Sequence, residues 1–235
     1  MRTILHKSFA PIEKILNQYT MYKVVTFSLL FIILSAFILS FFHILSFSPI
    51  ELLLSLIAIV LATTTMHFIC QYFWHAPANY ESTFITALLI FLIITPSTQL
   101  EILAFNFAIG IIAILSKYIF VYHNRHIFNP VAISLFIISF FSFFGAEWWV
   151  GSRYLLPAVA VAGLATVLKT KKTSLVLFFI LSSILISISY FGLVFGNYNF
   201  LEIATLNLFS YPTIFLACFM LTEPLSLPGM KKPQY

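Results

Sequence analysis

Histidine is the side chain of this sequence best suited to holding a redox centre, because a neutral imidazole can ligate haem iron or another transition metal. The chain has six histidines, and only His67 falls deep within an apolar segment. His43 lies near the opposite end of the preceding segment, and His75 lies two residues before Pro77, where a helix should already have ended. A haem-bearing transmembrane reductase that uses His67 is therefore one hypothesis, and a purely structural role for the histidines is the other. No metal site is predicted.

Carboxylates inside a bilayer are candidates for function, because an unpaired charge there is costly. Glu223 comes closest to this position, since it ends an apolar segment and precedes Pro224. Its carboxylate could face a cavity, or it could lie at the interface beside Lys231 and Lys232. Glu81 opens another apolar segment, where the positive end of a helix dipole favours a carboxylate. That role is mainly structural.

Other catalytic patterns are missing from the sequence. Cys70 and Cys218 are isolated in apolar surroundings and form no CxxC pair, so we predict two buried free thiols. There is no nucleophile–base pair, phosphate-binding loop or nucleotide-binding glycine pattern. The net charge of +5 comes from basic residues at the ends of segments, which does not indicate nucleic-acid binding. The chain by itself is not predicted to be a complete enzyme.

Composition sets the class of protein. Apolar residues make up 61% of the chain and charged residues 8%. No Asp, Glu, Lys or Arg occurs in three long stretches, namely 24–50, 52–80 and 173–201. Because about 20 consecutive apolar residues suffice to span a bilayer, the chain is predicted to be an all-α, multi-pass membrane protein whose main partner is the lipid bilayer.

Residues 1–23 are predicted to form an amphipathic, cytoplasmic N-terminal segment at the membrane surface. Eight membrane segments follow: 24–47, 50–70, 83–95, 100–122, 130–145, 154–168, 174–194 and 201–221. Segments 83–95 and 154–168 are too short for a straight crossing of roughly 30 Å. They are therefore predicted to be broken helices packed against protein.

Basic residues predict the orientation. If the N-terminus is cytoplasmic and all eight segments cross, every Lys and Arg except Arg153 falls on or near the inner side. That distribution obeys the positive-inside rule. It predicts a multi-pass membrane protein with a cytoplasmic N-terminus.

Residues 82–96 resemble residues 210–224, since both are apolar, carry Thr near the start and stop at Pro. They are the third and eighth segments, so an odd number of crossings separates them and they should run antiparallel. Inverted repeats of this kind place a functional site between their two copies. Chance similarity between two apolar segments is the alternative. We predict a first five-helix repeat at 24–147 and a second, incomplete repeat at 148–235.

Several motifs together resemble one family. His126, Ile127, Phe128, Asn129 and Pro130 form the most specific motif, and Asn129-Pro130 should cap and start a helix. The supporting motifs lie at 82–96, 149–152, 155–157 and 222–228. At these residues the chain is similar to the RnfD/NqrB family, the membrane subunits of Rnf and Nqr ion-translocating electron-transport complexes.

The resemblance implies a ten-helix, urea-channel-like inverted repeat of which this chain would be a short or truncated relative. It also implies a flavin, FMN or riboflavin. Members often attach FMN to a Thr in an outer loop, but here residues 145–151 contain no Thr. We therefore expect a non-covalent flavin near Asn129, Thr86, Thr222 and Glu223.

The expected function is that of a membrane subunit of an oxidoreductase complex, which holds a flavin and passes electrons. Na⁺ or H⁺ translocation could be coupled to this transfer. The expected partners are other subunits of an Rnf/Nqr-like complex, or a fused or associated flavin- and nicotinamide-binding reductase domain. The alternative is a channel-like transporter of a small neutral solute, lined by Thr86, Thr213 and Phe84.

Overall fold

The structure is a computed structural model that describes residues 16–75, 79–122, 125–140, 146–196 and 199–222. Within these residues the chain is mostly helical. The helices are α1 Met21–Phe41, α2 Pro49–Trp74, α3 Tyr80–Ile93, α4 Leu100–Ile119, α5 Pro130–Ser139, α6 Leu156–Thr170, α7 Thr173–Phe195, α8 Phe200–Phe209 and α9 Thr213–Phe215. Two short strands, β1 Val121–Tyr122 and β2 Arg125–His126, form a hairpin between α4 and α5. A 3₁₀ turn, Trp149–Gly151, precedes α6, and a π turn, Leu216–Met220, continues α9.

Four of the described helices, α1, α2, α4 and α7, are long and apolar enough to cross a membrane. The pair formed by α8 and α9 with its π turn is bent by 62° and adds a fifth if it is one span. Helices α3, α5 and α6 are apolar but have only 14, 10 and 15 residues. The structure therefore supports a helical membrane protein with four or five candidate spans, and the eight predicted crossings stay a prediction.

Helix starts follow from local capping groups. The Ser48 side chain accepts from the backbone N–H of Glu51, and the Glu51 carboxylate accepts from that of Ser48, so α2 starts with a capping box. Asn129 Oδ1 accepts from the N–H groups of Val131 and Ala132, at 3.0 and 3.1 Å. The predicted Asn-Pro helix start is thus confirmed. At the other end of α2, the helix stops at Trp74, as the sequence predicts.

Helix α3 lies at the centre of the bundle. Every residue from Ile85 to Ile94 is buried, and the helix packs against α1, α2, α4, α5 and the 3₁₀ turn. An apolar helix without a polar face is suited to such a position. Its 14 residues extend about 21 Å at ~1.5 Å per residue, which is short of a bilayer core of about 30 Å. The chain continues beyond the helix as an extended segment.

Broken helices are tolerated inside a membrane only where protein satisfies the exposed backbone. The carbonyl oxygen of Ile93 accepts from the N–H groups of Glu147 and Trp148, at 3.1 and 2.8 Å. The indole Nε1 of Trp149 donates to the carbonyl oxygens of Phe91 and Ile94. The segment that we predicted to be an outer loop thus folds against the end of α3, with Trp149 buried.

The backbone groups of the extended connection from α3 to α4 are also hydrogen-bonded by side chains. Asn106 Nδ2 donates to the carbonyl oxygen of Thr95, at 3.3 Å. Ser55 Oγ accepts from the N–H of Ser97 at 2.9 Å and donates to its carbonyl oxygen at 3.3 Å. These contacts place the start of α2 and α4 beside the end of α3, so α3 runs antiparallel to both.

The second Pro-stopped segment runs opposite to α3. It starts beside the end of α3, because a Cβ added to Gly151 of the 3₁₀ turn would lie 2.9 Å from the nitrogen of Pro212. It then follows α6, where a Cβ on Gly163 would lie 2.9 Å from Cys218. Lys169, at the end of α6, donates to the carbonyl oxygen of Leu16, just before α1. The opposite directions agree with an inverted pair, and the repeat itself stays a prediction.

Candidate functional site: a buried polar cluster between α2, α3 and α4

The side chains predicted to bind flavin form hydrogen bonds mainly within their own helices. The hydroxyl of Thr86 donates to the carbonyl oxygen of Ser82 at 3.0 Å, and that of Thr222 to the carbonyl oxygen of Cys218 at 2.5 Å. Both threonines are buried, and Asn129 Oδ1 is used as the cap of α5. Glu223 lies outside the described residues. In the described structure, therefore, these side chains are not assembled into one flavin site by their own hydrogen bonds.

The structure brings together a different set of polar side chains, at the end of α4 and the start of α3. Lys117 is only 8% exposed, although it lies in the last turn of a helix that is long enough to span a membrane. Its Nζ donates to both the carbonyl oxygen and the hydroxyl of Ser82, each at 2.8 Å. From the sequence we assigned Lys117 only a role in orientation. An ionisable group in this position is a candidate for function.

His67 belongs to the same cluster and is 3% exposed. Its Nδ1 lies 3.1 Å from the hydroxyl of Thr83 and 3.0 Å from the hydroxyl of Tyr118. These two residues directly follow Ser82 and Lys117 in the sequence, so His67 contacts the same turns of α3 and α4 as the lysine. The other ring nitrogen, Nε2, is buried and has no hydrogen-bond partner within the described part of the chain. This buried group requires an explanation, because lone polar atoms in protein interiors are costly.

The motif that carries the family resemblance reaches this cluster through His126. The hairpin pairs His126 with Val121, and the N–H of Ile127 donates to the carbonyl oxygen of Phe120 at 3.0 Å. Burial, and next to it the charge of Lys117, lowers the pKa of His126 to about 4. The imidazole is therefore neutral at pH 7, and its Nδ1 is buried and unpartnered among the described residues.

Charge in this cluster disfavours metal ions. Lys117 lies at Ser82, in the first turn of α3, where the helix dipole adds further positive potential. Glu81 in the same turn partly offsets it. The described residues contain no group of three or more His, Cys, Asp or Glu side chains that could hold a metal ion. The hypothesis of haem at His67 gains no second ligand from this arrangement.

A groove of about 280 Å³ lies beside the cluster. It runs between α1 and α3 and is lined by Lys23, Thr26, Phe27, Tyr80, Glu81 and Phe84. The ring of Tyr80 also contacts the imidazole of His67 edge-on, with 5.2 Å between the centroids. Tyr80 therefore forms the wall between the groove and the buried cluster.

Both cysteines are buried free thiols, as predicted. Neither contributes to the polar cluster by a described hydrogen bond. Cys218 packs instead against Gly163.

No protein-family model, curated protein or solved structure matches this chain.

Proposed function

We propose that this chain is a membrane subunit of an electron-transport oxidoreductase complex that holds a non-covalent flavin and passes electrons. The observation that carries the proposal is the position of His126. This residue opens the motif most specific to the RnfD/NqrB resemblance, and the hairpin pairs it with Val121, four residues after Lys117. The motif and the buried lysine thus belong to one local structure.

Electrostatics supports a flavin at this cluster better than at Thr86 and Thr222. When bound, a flavin supplies electron and hydride transfer, and the protein tunes it through charge and hydrogen bonds at the ring edge. Lys117 supplies a positive charge in a buried position, which favours the negative charge that a flavin gains on reduction. Tyr118 and Thr83 hold the ring of His67 in place.

The proposal extends to environment and partners. We place the chain in a bacterial inner membrane, with a cytoplasmic N-terminus and with other subunits or a flavin- and nicotinamide-binding reductase domain beside it. Coupling of electron transfer to Na⁺ or H⁺ movement forms part of the same proposal. The positive-inside distribution of basic residues supports this orientation.

The alternative channel function requires a polar path through the bundle. Thr86 lies in the middle of a buried apolar helix, and its hydroxyl donates within that helix. Thr213, expected to face the same path, is buried at the start of α9. These positions favour a packed scaffold over a solute pore.

A visible spectrum of the purified protein tests the proposal. In detergent, the wild type should show a flavin absorption band at about 450 nm. Acid precipitation should release the flavin, because it is not covalently bound. Lys117→Met should lower the flavin-to-protein ratio, whereas Lys169→Met, which removes another partly buried lysine, should leave it unchanged.

A colourless wild-type protein purified under gentle conditions would overturn the flavin part of the proposal. A haem Soret band would instead support the His67 hypothesis. Solute flux through vesicles by a colourless protein would support the channel.

A further inference from the structure

We propose that the cluster formed by Lys117, His67, Ser82 and Tyr118 is a binding site for a phosphate-class oxyanion. The phosphate could belong to a membrane lipid or to a soluble molecule. This inference does not rest on the proposed flavin function, because it follows from the charge and hydrogen bonding of these four side chains and from the groove beside them.

Positive potential is the first requirement. Lys117 brings an ammonium group to within 2.8 Å of the Ser82 hydroxyl, in the first turn of α3. Helix α3 has 14 residues, and its N-terminal end carries the positive end of the helix dipole. A cation and a helix N-terminus together attract an oxyanion and repel a metal ion.

An unused hydrogen-bond donor is the second requirement, and His67 supplies it. The hydroxyls of Tyr118 and of the buried Thr83 lie 3.0 and 3.1 Å from Nδ1, and each can donate its proton to that nitrogen. Nδ1 serves as the acceptor when the ring proton is on Nε2. His67 then presents a buried Nε2–H that has no acceptor among the described residues. A phosphate oxygen is an acceptor of the kind that this N–H lacks.

Access is the third requirement. The groove between α1 and α3 is lined in part by Tyr80, whose ring contacts the imidazole of His67. The groove has Lys23 and Glu81 at its polar end and Phe27 and Phe84 along its apolar part. A phosphate that is carried by a lipid could therefore approach from the bilayer, while its acyl chains stay in contact with the phenylalanines.

Thermal unfolding of the full chain in a neutral maltoside detergent tests the site. Inorganic phosphate is compared with chloride at equal ionic strength, and phosphatidylglycerol is compared with phosphatidylcholine in mixed micelles. We expect the wild-type Tm to rise by several degrees with a saturating phosphate ligand. If inorganic phosphate raises the Tm, the site accepts a soluble phosphate. If only phosphatidylglycerol raises the Tm, the phosphate belongs to a lipid.

Three variants locate the effect. Lys117→Met should abolish the Tm rise, and Lys169→Met should retain it, because Lys169 donates to a carbonyl oxygen at a different place. Tyr118→Phe keeps the charge of Lys117 but removes a hydroxyl that donates to Nδ1 of His67 and so favours the proton on Nε2. The rise in Tm should therefore become smaller. This variant preserves the test if Lys117→Met does not fold.

The site is refuted if no phosphate ligand raises the wild-type Tm, or if the wild type and all three variants respond equally. These outcomes are independent of flavin content. A colourless protein with a phosphate-dependent Tm would refute only the proposed function.

Discussion

The indole Nε1 of Trp149 donates a hydrogen bond to the carbonyl oxygen of Phe91, 3.0 Å away, and so caps the end of the buried helix α3. The same N–H lies 3.1 Å from the carbonyl oxygen of Ile94. A residue that follows the first half of the chain thus completes its central broken helix.

Trp149→Phe should destabilise the protein by about 1–3 kcal/mol, because it leaves buried carbonyl oxygens without their donor. Denaturant unfolding in detergent measures the change. Trp148→Phe is the matched control, since Trp148 contributes its backbone N–H to the cap and that group is unaltered. Equal effects of the two substitutions would show that the indole hydrogen bond is not important.

Gly163→Val should destabilise the packing of α6 on the π turn by about 1–3 kcal/mol or more. The reason is that even a Cβ at Gly163 would lie 2.9 Å from Cys218 Cβ and Sγ. Ala160→Val, on the exposed face of the same helix, is the control and should change stability little. A neutral Gly163→Val would mean that these two elements are not in close contact.

Asn207→Leu should weaken the association of α7 with α8. Asn207 Nδ2 donates to Ser187 Oγ at 2.7 Å and to Ser183 Oγ at 3.1 Å, and its Oδ1 accepts from Ser183 Oγ. Hydrogen bonds between helices in lipid contribute about 0.6–2 kcal/mol. Ser189→Ala removes a hydroxyl that bonds only to its own helix in the described contacts, so it should cause a smaller change. Proteolysis between α7 and α8 would report the loosened pair.

Acid should destabilise the α4–α5 hairpin through His126. Its folded pKa of about 4 is below the ordinary value of 6.5, so the unfolded chain takes up a proton first. The stability contribution is complete above about pH 6.5 and declines as the pH falls towards 4. Lys117 is the charged group that acts on this imidazole.

The measurement is Tm against pH for the wild type and His126→Gln. The variant should show a flatter profile between about pH 6.5 and 4, whereas His43→Gln, at an exposed histidine, should follow the wild type. Identical profiles for the wild type and His126→Gln would show that protonation of His126 does not affect folding.

Sequence patterns predicted the membrane class, the short central segment and several helix ends, because these depend on local properties. A long run of apolar residues identifies a membrane span regardless of which side of the helix faces its neighbours. Asn129 and Pro130 start α5 through hydrogen bonds from the N–H groups of Val131 and Ala132 to the Asn129 side chain, which involve no distant partner.

The position of Lys117 could not be predicted in this way. A lysine in the last turn of an apolar helix can point to the interface or into the bundle, and only packing against α3 decides which. The structure turns it inward to Ser82, 35 residues away in sequence. The burial of Trp149 depends likewise on contacts with distant Phe91 and Ile94.

By itself, therefore, the sequence determined that this chain is apolar, helical and suited to a bilayer, since composition and local capping suffice for that. Only the tertiary structure decided which polar groups face one another. From Ala87 to Ile93 helix α3 is apolar on every side, so that part of its sequence contains no periodic signal of its rotation. The cluster of His67, Ser82 and Lys117 exists because three helices pack in one relative rotation, and that is a property of the whole bundle.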